Sequence, residues 1–305
     1  MTRHLIHIGY PKAGSSFLQL WFQQHPDLRY VPGGVAGFHS VYEMCRRSGE
    51  SYSYHVTSSE SLSTPSDSAG MVGAHGPGER DIPDVPIRER QAQVCALLRD
   101  LNPGSRVLIV TRGFRGMILS SYSQFVRSGG RLGLEAMCSN LSATVGRDEG
   151  HYFDYDYLIG LYIDAFGDEN VIVLPYELLR DDQDAFLRTL EEQLGVRHAP
   201  VESGRVNESL SPEDLYWYPR ISRAAATVSS ALPPRLGNAL YRRYTERTFN
   251  ARLGLIVRVL SRATPGREVT RGDVPASALE SCEGRATRLR SNPLYASYAA
   301  EYLWT

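Results

Sequence analysis

The start of the chain places an apolar segment, a glycine-containing turn and an amphipathic segment in immediate succession. Leu5, Ile6 and Ile8 form an apolar run too short for a buried helix, which predicts a strand. After Gly14 the apolar residues follow helical spacing. A strand, a glycine-bearing loop and a helix N-terminus direct backbone N–H groups and the positive end of the helix dipole at one point. This stretch therefore predicts an anion site suited to a phosphate group.

Side chains within the loop add donors and a positive charge. Lys12 lies inside the loop, and Ser15 and Ser16 follow Gly14 at the start of the predicted helix. Nucleoside-triphosphate loops follow G-x-x-x-x-G-K-S/T, with the lysine directly after the second glycine. Gly9 and Gly14 have that spacing, but Ser15 stands where the lysine belongs, which argues against ATP or GTP hydrolysis. A solvated lysine in an ordinary strand–helix turn is the alternative interpretation.

Length and composition are those of an ordinary globular protein. The 305 residues suffice for one large α/β domain or two small ones, and we expect one domain over residues 1–305. A formal net charge of −1 gives no general attraction to nucleic acid or membranes, so we expect no nucleic-acid partner and only local basic sites. The first strand follows the N-terminus directly and no apolar run reaches membrane-spanning length, so we expect no signal peptide and a cytoplasmic location.

The four cysteines are scattered along the chain without a C-x-x-C pair. They predict neither a disulfide framework nor a zinc site, and we expect no metal. They are Cys45, Cys95, Cys138 and Cys282.

Strand-like and helix-like segments alternate over the first two thirds of the chain. Further strands are predicted at 54–57, 107–111 and 171–174, and the β-branched segment 107–111 is expected inside the sheet. This alternation predicts an α/β fold with a central parallel sheet and helices on both faces, as in P-loop proteins. Residues 61–84 are rich in serine, glycine and proline and predict a surface loop that acts as an active-site lid. Residues from about 211 to 305 are predicted to be mainly helical.

Polar residues stand just past the carboxyl ends of four predicted strands. They are Lys12, Glu60, Arg112 and Tyr176. Ligands of parallel sheets bind at those ends, so we expect these residues to share one site.

A second anion-binding element is predicted after the third of these strands. Arg112 lies between strand and helix, and Ser120 follows eight residues later in the helix. An arginine fork suits phosphate oxygens, and a serine hydroxyl can complete the site. The alternative is a helix-start arginine with an incidental serine nearby. Two anion sites in one chain suit a nucleotide that carries phosphates at two positions.

The two elements together resemble those of a known enzyme family. Pro-Lys-x-Gly-Ser-Ser at 11–16 is similar to the 5′-phosphosulfate loop of sulfotransferases that use PAPS (3′-phosphoadenosine 5′-phosphosulfate). The strand-Arg-x7-Ser-x-Tyr pattern at 112–122 resembles the 3′-phosphate element of the same enzymes. Segments 58–60, 122–130 and 174–179 also look like bacterial members of the family, and the resemblance spans about residues 4–210.

This resemblance implies a site and a reaction. It implies transfer of a sulfuryl group from PAPS to a hydroxyl or amine of a carbohydrate, lipid or other small-molecule acceptor, with release of PAP and without a metal. Arg112 and Ser120 would bind the 3′-phosphate, and Tyr176 would lie near the nucleotide. The late Arg-Lys-Gly of many family members is absent, and residues 205–209 are a candidate substitute. The 5′-phosphosulfate would lie against Pro11, Lys12, Ala13, Gly14, Ser15 and Ser16.

The catalytic assignments follow from the same resemblance. Lys12 would neutralise the charge that develops on the leaving phosphate oxygen, an effect for which loss of a single donor costs on the order of 100-fold in rate. Glu60, after the second predicted strand, and His39 are the candidates for the general base. Glu60 is otherwise a solvated or helix-capping carboxylate, and His55 within the strand is a structural histidine.

Two other functions and one surface stay open at this stage. A P-loop kinase or NTPase with an altered loop would bind magnesium and ATP, and a non-catalytic module would bind the nucleotide without a base beside it. The arginine-rich region after Pro219 is either a solvated helical face or a basic surface for an anionic acceptor or a membrane interface.

Overall fold

Five strands form one parallel sheet, in the order β2-β3-β1-β4-β5. The computed structural model describes residues 3–33, 43, 51–65, 85–140, 152–201 and 210–304, and the statements that follow refer to these ranges. The strands are β1 (Arg3–His7), β2 (Leu28–Arg29), β3 (Tyr54–Ser58), β4 (Arg106–Thr111) and β5 (Val171–Pro175). Helices alternate with these strands, which confirms the α/β fold class predicted from the sequence.

Ten labelled helices accompany the sheet in the described ranges. They are α1 (Ser15–Gln24), α2 (Ile87–Leu101), α3 (Phe114–Arg127), α4 (Tyr155–Phe166), α5 (Tyr176–Asp181), α6 (Gln183–Leu194), α7 (Pro212–Ser230), α8 (Pro234–Phe249), α9 (Gly254–Ala263) and α10 (Ala276–Glu280). Residues 134–140 are also helical. Short 3₁₀ segments lie at Glu60–Leu62, Asp168–Asn170, Arg271–Asp273, Thr287–Ser291 and Pro293–Tyr302.

The core of the protein is built on β1 and β4. Every residue from Val107 to Val110 is fully buried, as are Leu5 and Ile6 on the neighbouring strand. β4 pairs with β1 on one side and β5 on the other, so it is an interior strand, as its unbroken apolar sequence predicts. The sequence did not predict β2, because two residues are too few to show a period.

The C-terminal 3₁₀ segment is joined to the end of β4 by a chain of buried hydrogen bonds. The Thr111 hydroxyl lies 2.8 Å from the Tyr295 hydroxyl and 3.0 Å from the Tyr302 hydroxyl. Tyr302 donates to Glu177 Oε2 at 3.0 Å, so the proton order runs from Tyr295 through Thr111 and Tyr302 to Glu177. Residues almost 200 positions apart are therefore tied together at the carboxyl edge of the sheet.

Several sequence predictions fall in part or wholly outside the described residues. His39 and segment 205–209 are among them, and so is most of the predicted lid, of which only residues 61–65 are described. These assignments and the single-domain organisation stay predictions. Cys95, Cys138 and Cys282 are buried and form no disulfide with one another. No helix within the described ranges is both long enough and apolar enough to cross a membrane.

Replacing Tyr302 with phenylalanine should destabilise the protein. The Tyr302→Phe change removes the donor to the buried carboxylate of Glu177, and an unsatisfied buried acceptor costs about 1–3 kcal/mol. Urea unfolding of this variant should show that loss, whereas Tyr298→Phe, at a half-buried tyrosine of the same segment, should stay near the wild-type value. Equal stability of Tyr302→Phe and wild type would show that the hydrogen-bond chain has no energetic weight.

Candidate active site

The loop between β1 and α1 has the backbone conformation of an anion-binding turn. Lys12 has a φ of 69° and Gly14 a φ of 86°, and the Ala13 N–H donates to the Tyr10 carbonyl at 3.1 Å. A positive φ is uncommon in a residue with a Cβ, and residues held in such conformations are enriched at functional sites. α1 begins at Ser15 after Gly14, and no side chain caps its first N–H groups. These donors and the helix dipole point to the end of the loop.

Gly14 is required at its position by conformation and by packing. A Cβ there would lie 2.6 Å from Leu179 Cδ2 and 3.3 Å from Tyr176 Cδ2. The first residues of α5 therefore pack directly on the loop. Their contact places Tyr176, which follows β5, beside the loop that follows β1.

Arg112 joins the two predicted anion-binding elements. Its Nη1 donates to the Lys12 carbonyl at 2.6 Å, and its guanidinium carbon lies 4.5 Å from the centroid of the Tyr176 ring. The Arg112 carbonyl accepts a hydrogen bond from Tyr155 at 2.5 Å. Within the described residues, the buried Arg112 Nε has no hydrogen-bond partner. The structure therefore brings Lys12, Arg112 and Tyr176 together, while their role in a site stays a prediction.

Glu177 fixes the turn that carries Arg112. Its Oε1 accepts from the Gly113 N–H at 2.9 Å, while its Oε2 accepts from Tyr302. The sequence contained Glu177 in a family-like segment without indicating a role for it. Its function in the structure is to cap the start of α3 and so to hold the backbone of Arg112.

One side of α3 continues the basic character of this site. A Cβ at Gly116 would lie 3.2 Å from Arg112 Nε, and Ser120 lies one helical turn further along the same side. Arg127, two turns beyond Ser120, is close enough to Lys12 to influence its pKa. Arg127 was not among the site residues predicted from the sequence, although its spacing from Gly116 and Ser120 places the three residues on one side of the helix.

Lys12 and Glu60 influence each other's ionisation. Burial lowers the pKa of Lys12, the positive charges of Arg127 and Arg112 act in the same direction, and Glu60 opposes them. Burial raises the pKa of Glu60, while the nearby Ser15 hydroxyl and the charge of Lys12 oppose that shift. Ser15 Oγ is buried and makes no hydrogen bond of ordinary geometry among the described residues.

Hydrogen bonds hold the short turn that carries Glu60 against the loop between β1 and α1. Glu60 begins the 3₁₀ segment after β3, and the Ser59 N–H donates to the His7 carbonyl at 3.2 Å. The Ser63 hydroxyl lies 3.0 Å from the Glu60 carbonyl and 3.4 Å from the Gly9 carbonyl. The backbone that carries Glu60 is thereby held against the loop that carries Lys12.

His7 packs against the start of the loop, at Gly9. Its Nδ1 lies 2.8 Å from Ser58 Oγ, which also accepts from Gln19 Nε2 at 3.3 Å. Burial lowers the pKa of His7 to about 3, so the imidazole is neutral near pH 7. A Cβ at Gly9 would lie 2.4 Å from His7 Nε2, so this position needs glycine because the ring occupies that space.

A polar cavity of about 600 Å³ adjoins the loop and Glu60. Its lining carries hydroxyl and amide groups, and Glu60 is the one carboxyl side chain among the lining residues. The lining residues are Ser16, Gln19, Tyr30, Val31, Pro32, Gly33, Val56, Thr57, Ser58, Ser59, Glu60 and Ser61. The sequence did not predict this cavity, because its residues come from three separate segments.

The aromatic residues around positions 155 and 218 are not part of this cavity. Tyr155 and Tyr218 are fully buried in the core. His55 lies on β3, and burial lowers its pKa. In the described part of the chain, no cluster of three or more His, Cys, Asp or Glu side chains has a metal-binding arrangement.

The fold and the site define a class: an α/β protein with a strand–loop–helix anion site and an arginine from a neighbouring strand at the same sheet edge. No protein-family model matches this chain, and no curated protein is similar to it. Two solved structures that resemble it are both sulfotransferases, the family whose motifs the sequence resembles. One, from Alicyclobacillus acidocaldarius, is 17% identical with a TM-score of 0.45, covering 81% of this chain and 96% of that chain.

The other solved structure is a mouse sulfotransferase complexed with PAP. It is 14% identical with a TM-score of 0.36, and the match covers 65% of this chain and 60% of that chain.

The packing around Gly14 can be separated from its backbone conformation. Gly33 also has a positive φ, but a Cβ there would meet no atom of the described residues within 4 Å. We expect Gly33→Ala to cost about 1–2 kcal/mol through backbone strain alone, and Gly14→Ala to cost about 1–3 kcal/mol more through overpacking against Leu179. Urea unfolding of both variants measures the difference. Equal losses would contradict the close approach of α5 to the loop.

Proposed function

We propose that this protein is a PAPS-dependent sulfotransferase whose acceptor is a neutral, polyhydroxylated small molecule of the carbohydrate type. The hydrogen bond of 2.6 Å from Arg112 to the Lys12 carbonyl is the observation on which this proposal depends. PAPS carries its 5′-phosphosulfate and its 3′-phosphate on a single ribose. A protein that binds both groups therefore needs two cationic elements side by side, and this contact supports that arrangement.

The residues at the loop fit such a ligand. Arg112 Nε is a buried polar atom without a partner in the described ranges, Ser15 Oγ makes no hydrogen bond of ordinary geometry there, and the first turn of α1 has no side-chain cap. Buried donors without partners are costly, and phosphate oxygens would satisfy them. The bound nucleotide would supply a sulfuryl group attached to a good leaving phosphate.

Each residue has a separate task in the proposed reaction. The loop from Pro11 to Ser16 would hold the 5′ end, with Lys12 stabilising the charge on the leaving oxygen. Arg112 and Ser120 would hold the 3′-phosphate. Tyr176 would keep these two elements together, because its ring packs on both Gly14 and Arg112.

Glu60 is our candidate for the general base. It lines the cavity and also interacts with Lys12, so it would lie within reach of the hydroxyl of an acceptor bound there. As the acceptor oxygen forms its bond to sulfur and the bond to the phosphate oxygen breaks, Glu60 would take the hydroxyl proton. Its raised pKa makes it a more effective base near neutral pH than an ordinary carboxylate. His39 remains a second candidate.

The size and lining of the cavity favour a neutral, polyhydroxylated acceptor. A volume of about 600 Å³ lies in the usual range of about 300–1,000 Å³ for small-molecule sites. Hydroxyl and amide groups of Gln19, Thr57 and Ser58 can exchange hydrogen bonds with several acceptor hydroxyls. An anionic acceptor would be repelled by Glu60, and a lipid tail would lack a continuous apolar wall. These features support a neutral sugar-like acceptor.

Titration calorimetry with PAP in the presence of EDTA tests the nucleotide site. We expect binding without added metal, and at least tenfold weaker binding for Lys12→Met and for Arg112→Met, because charge-assisted hydrogen bonds contribute about 1.5–3 kcal/mol each. Arg99→Met, at an exposed arginine of α2, is the matched control and should bind PAP normally.

Other results would support the competing functions. Tighter binding of magnesium-ATP than of PAP would indicate a kinase or NTPase. Normal PAP binding without transfer of labelled sulfuryl groups to any of a broad set of sugars, phenols, amines and lipids would indicate a non-catalytic module.

The pH profile of kcat/KM tests Glu60. A base must be deprotonated, so activity should be present above the raised pKa of Glu60 and lost as the pH falls through it. Lys12 must be charged, and its pKa is lowered. Activity should therefore also be lost at alkaline pH, with a midpoint below the usual pKa of lysine. Glu60→Gln should remove the acid limb and lower kcat by about 100-fold or more, while Glu60→Asp should keep the limb. An unchanged acid limb in Glu60→Gln would assign the base to another group.

A further inference from the structure

Exposed apolar side chains are concentrated in one part of the chain. Eight of the eleven large hydrophobic residues that are exposed in the described ranges lie between positions 228 and 259. They are Val228, Leu232, Leu236, Leu240, Phe249, Leu255, Ile256 and Val259. Single exposed apolar residues are ordinary, whereas several on two consecutive helices that both pack on α7 point to an interaction region.

Helix α9 exposes apolar side chains to solvent on the side opposite the one that packs on the core. Leu253, before the helix, and Val257 are buried. Leu255 and Val259, one turn apart, are 74% and 66% exposed. Arg258 and Arg262 lie beside them on the exposed side of the helix. The helix therefore presents leucine and valine to solvent with arginine next to them.

Helix α8 repeats this arrangement. It buries Gly237 and Thr248, and it exposes Leu236 and Leu240, which are one turn apart. Arg243 and Arg247 continue the same exposed side at positions i+3 and i+7 from Leu240. Apolar and cationic side chains thus follow one another along the exposed side of each helix.

The charge of this region is strongly one-sided. Residues 231–263 contain seven arginines and no lysine, with Glu246 as the single acidic residue, whereas the whole chain has a formal net charge of −1. The arginines are Arg235, Arg242, Arg243, Arg247, Arg252, Arg258 and Arg262, and all seven are exposed. We call residues 228–263 the basic apolar surface.

We propose that the basic apolar surface binds the face of an anionic phospholipid membrane. Exposed leucine, isoleucine and valine side chains can enter the boundary between headgroups and acyl chains, while arginines beside them contact lipid phosphates. A nucleic acid would pair with the arginines but would leave the apolar groups in water. Charge complementarity and apolar exposure together therefore favour lipid. This inference does not depend on the proposed catalytic function.

Vesicle co-sedimentation of the full chain tests the proposal. The protein should bind vesicles of phosphatidylglycerol and phosphatidylcholine, bind pure phosphatidylcholine vesicles at least tenfold more weakly, and dissociate from the anionic vesicles as salt is raised. The double variant Leu255→Ser/Val259→Ser should weaken binding to the anionic vesicles at least tenfold, as should Arg258→Glu/Arg262→Glu.

A matched control uses exposed leucines outside the surface. Leu97 and Leu101 on α2 are 57% and 66% exposed, and Leu97→Ser/Leu101→Ser should bind vesicles like the wild type. Circular dichroism verifies that each variant is folded. The proposal would be overturned if the protein bound anionic and neutral vesicles equally well, or if both surface double variants bound anionic vesicles like the wild type. Self-association abolished by Leu255→Ser/Val259→Ser, without vesicle binding, would instead show an interface between copies of the chain.

Discussion

The hydrogen bond from the Arg112 guanidinium to the Lys12 carbonyl joins the two halves of the site. Lys12 has a left-handed backbone conformation, and Arg112 donates to its carbonyl at 2.6 Å. The remaining donors of Arg112 include a buried Nε without a partner in the described part of the chain. One arginine thus supports the loop backbone and also keeps donor capacity for an anion. This double role explains why arginine, with its rigid fork of donors, occupies the position.

Residues far from the loop maintain this contact. Glu177 accepts from the Gly113 N–H and from Tyr302, and Tyr155 donates to the Arg112 carbonyl. The C-terminal segment therefore contributes to the site although none of its residues was identified as a site residue from sequence. In physical terms, a buried carboxylate must have its acceptor capacity filled, and here the donors are the backbone of α3 and a tyrosine more than 100 residues away.

The sheet order distributes the residues of the candidate site on the two sides of β1. β4 and β5 bring Arg112 and Tyr176 to one side of the loop after β1, while β3 brings Glu60 and the polar cavity to the other. A ligand with anionic groups would lie on the arginine side, and a hydroxyl-bearing acceptor would lie on the glutamate side, with Lys12 between them. The basic apolar surface is carried by helices that follow this sheet in the chain, so membrane contact and chemistry would involve different segments.

Local sequence patterns were sufficient to predict the strands of the core, the strand–loop–helix at the N-terminus and the polar residues that follow four of the strands. Apolar runs and glycine positions depend on neighbouring residues alone, so β1, β3, β4 and β5 could be predicted from them, whereas the two residues of β2 could not. Arg127, Glu177 and the cavity around Ser58 and Gln19 were not predictable, because each acts through partners distant in the chain. Tertiary packing decided which donors remain without partners and which carboxylate is buried, since both depend on what surrounds a group rather than on its identity.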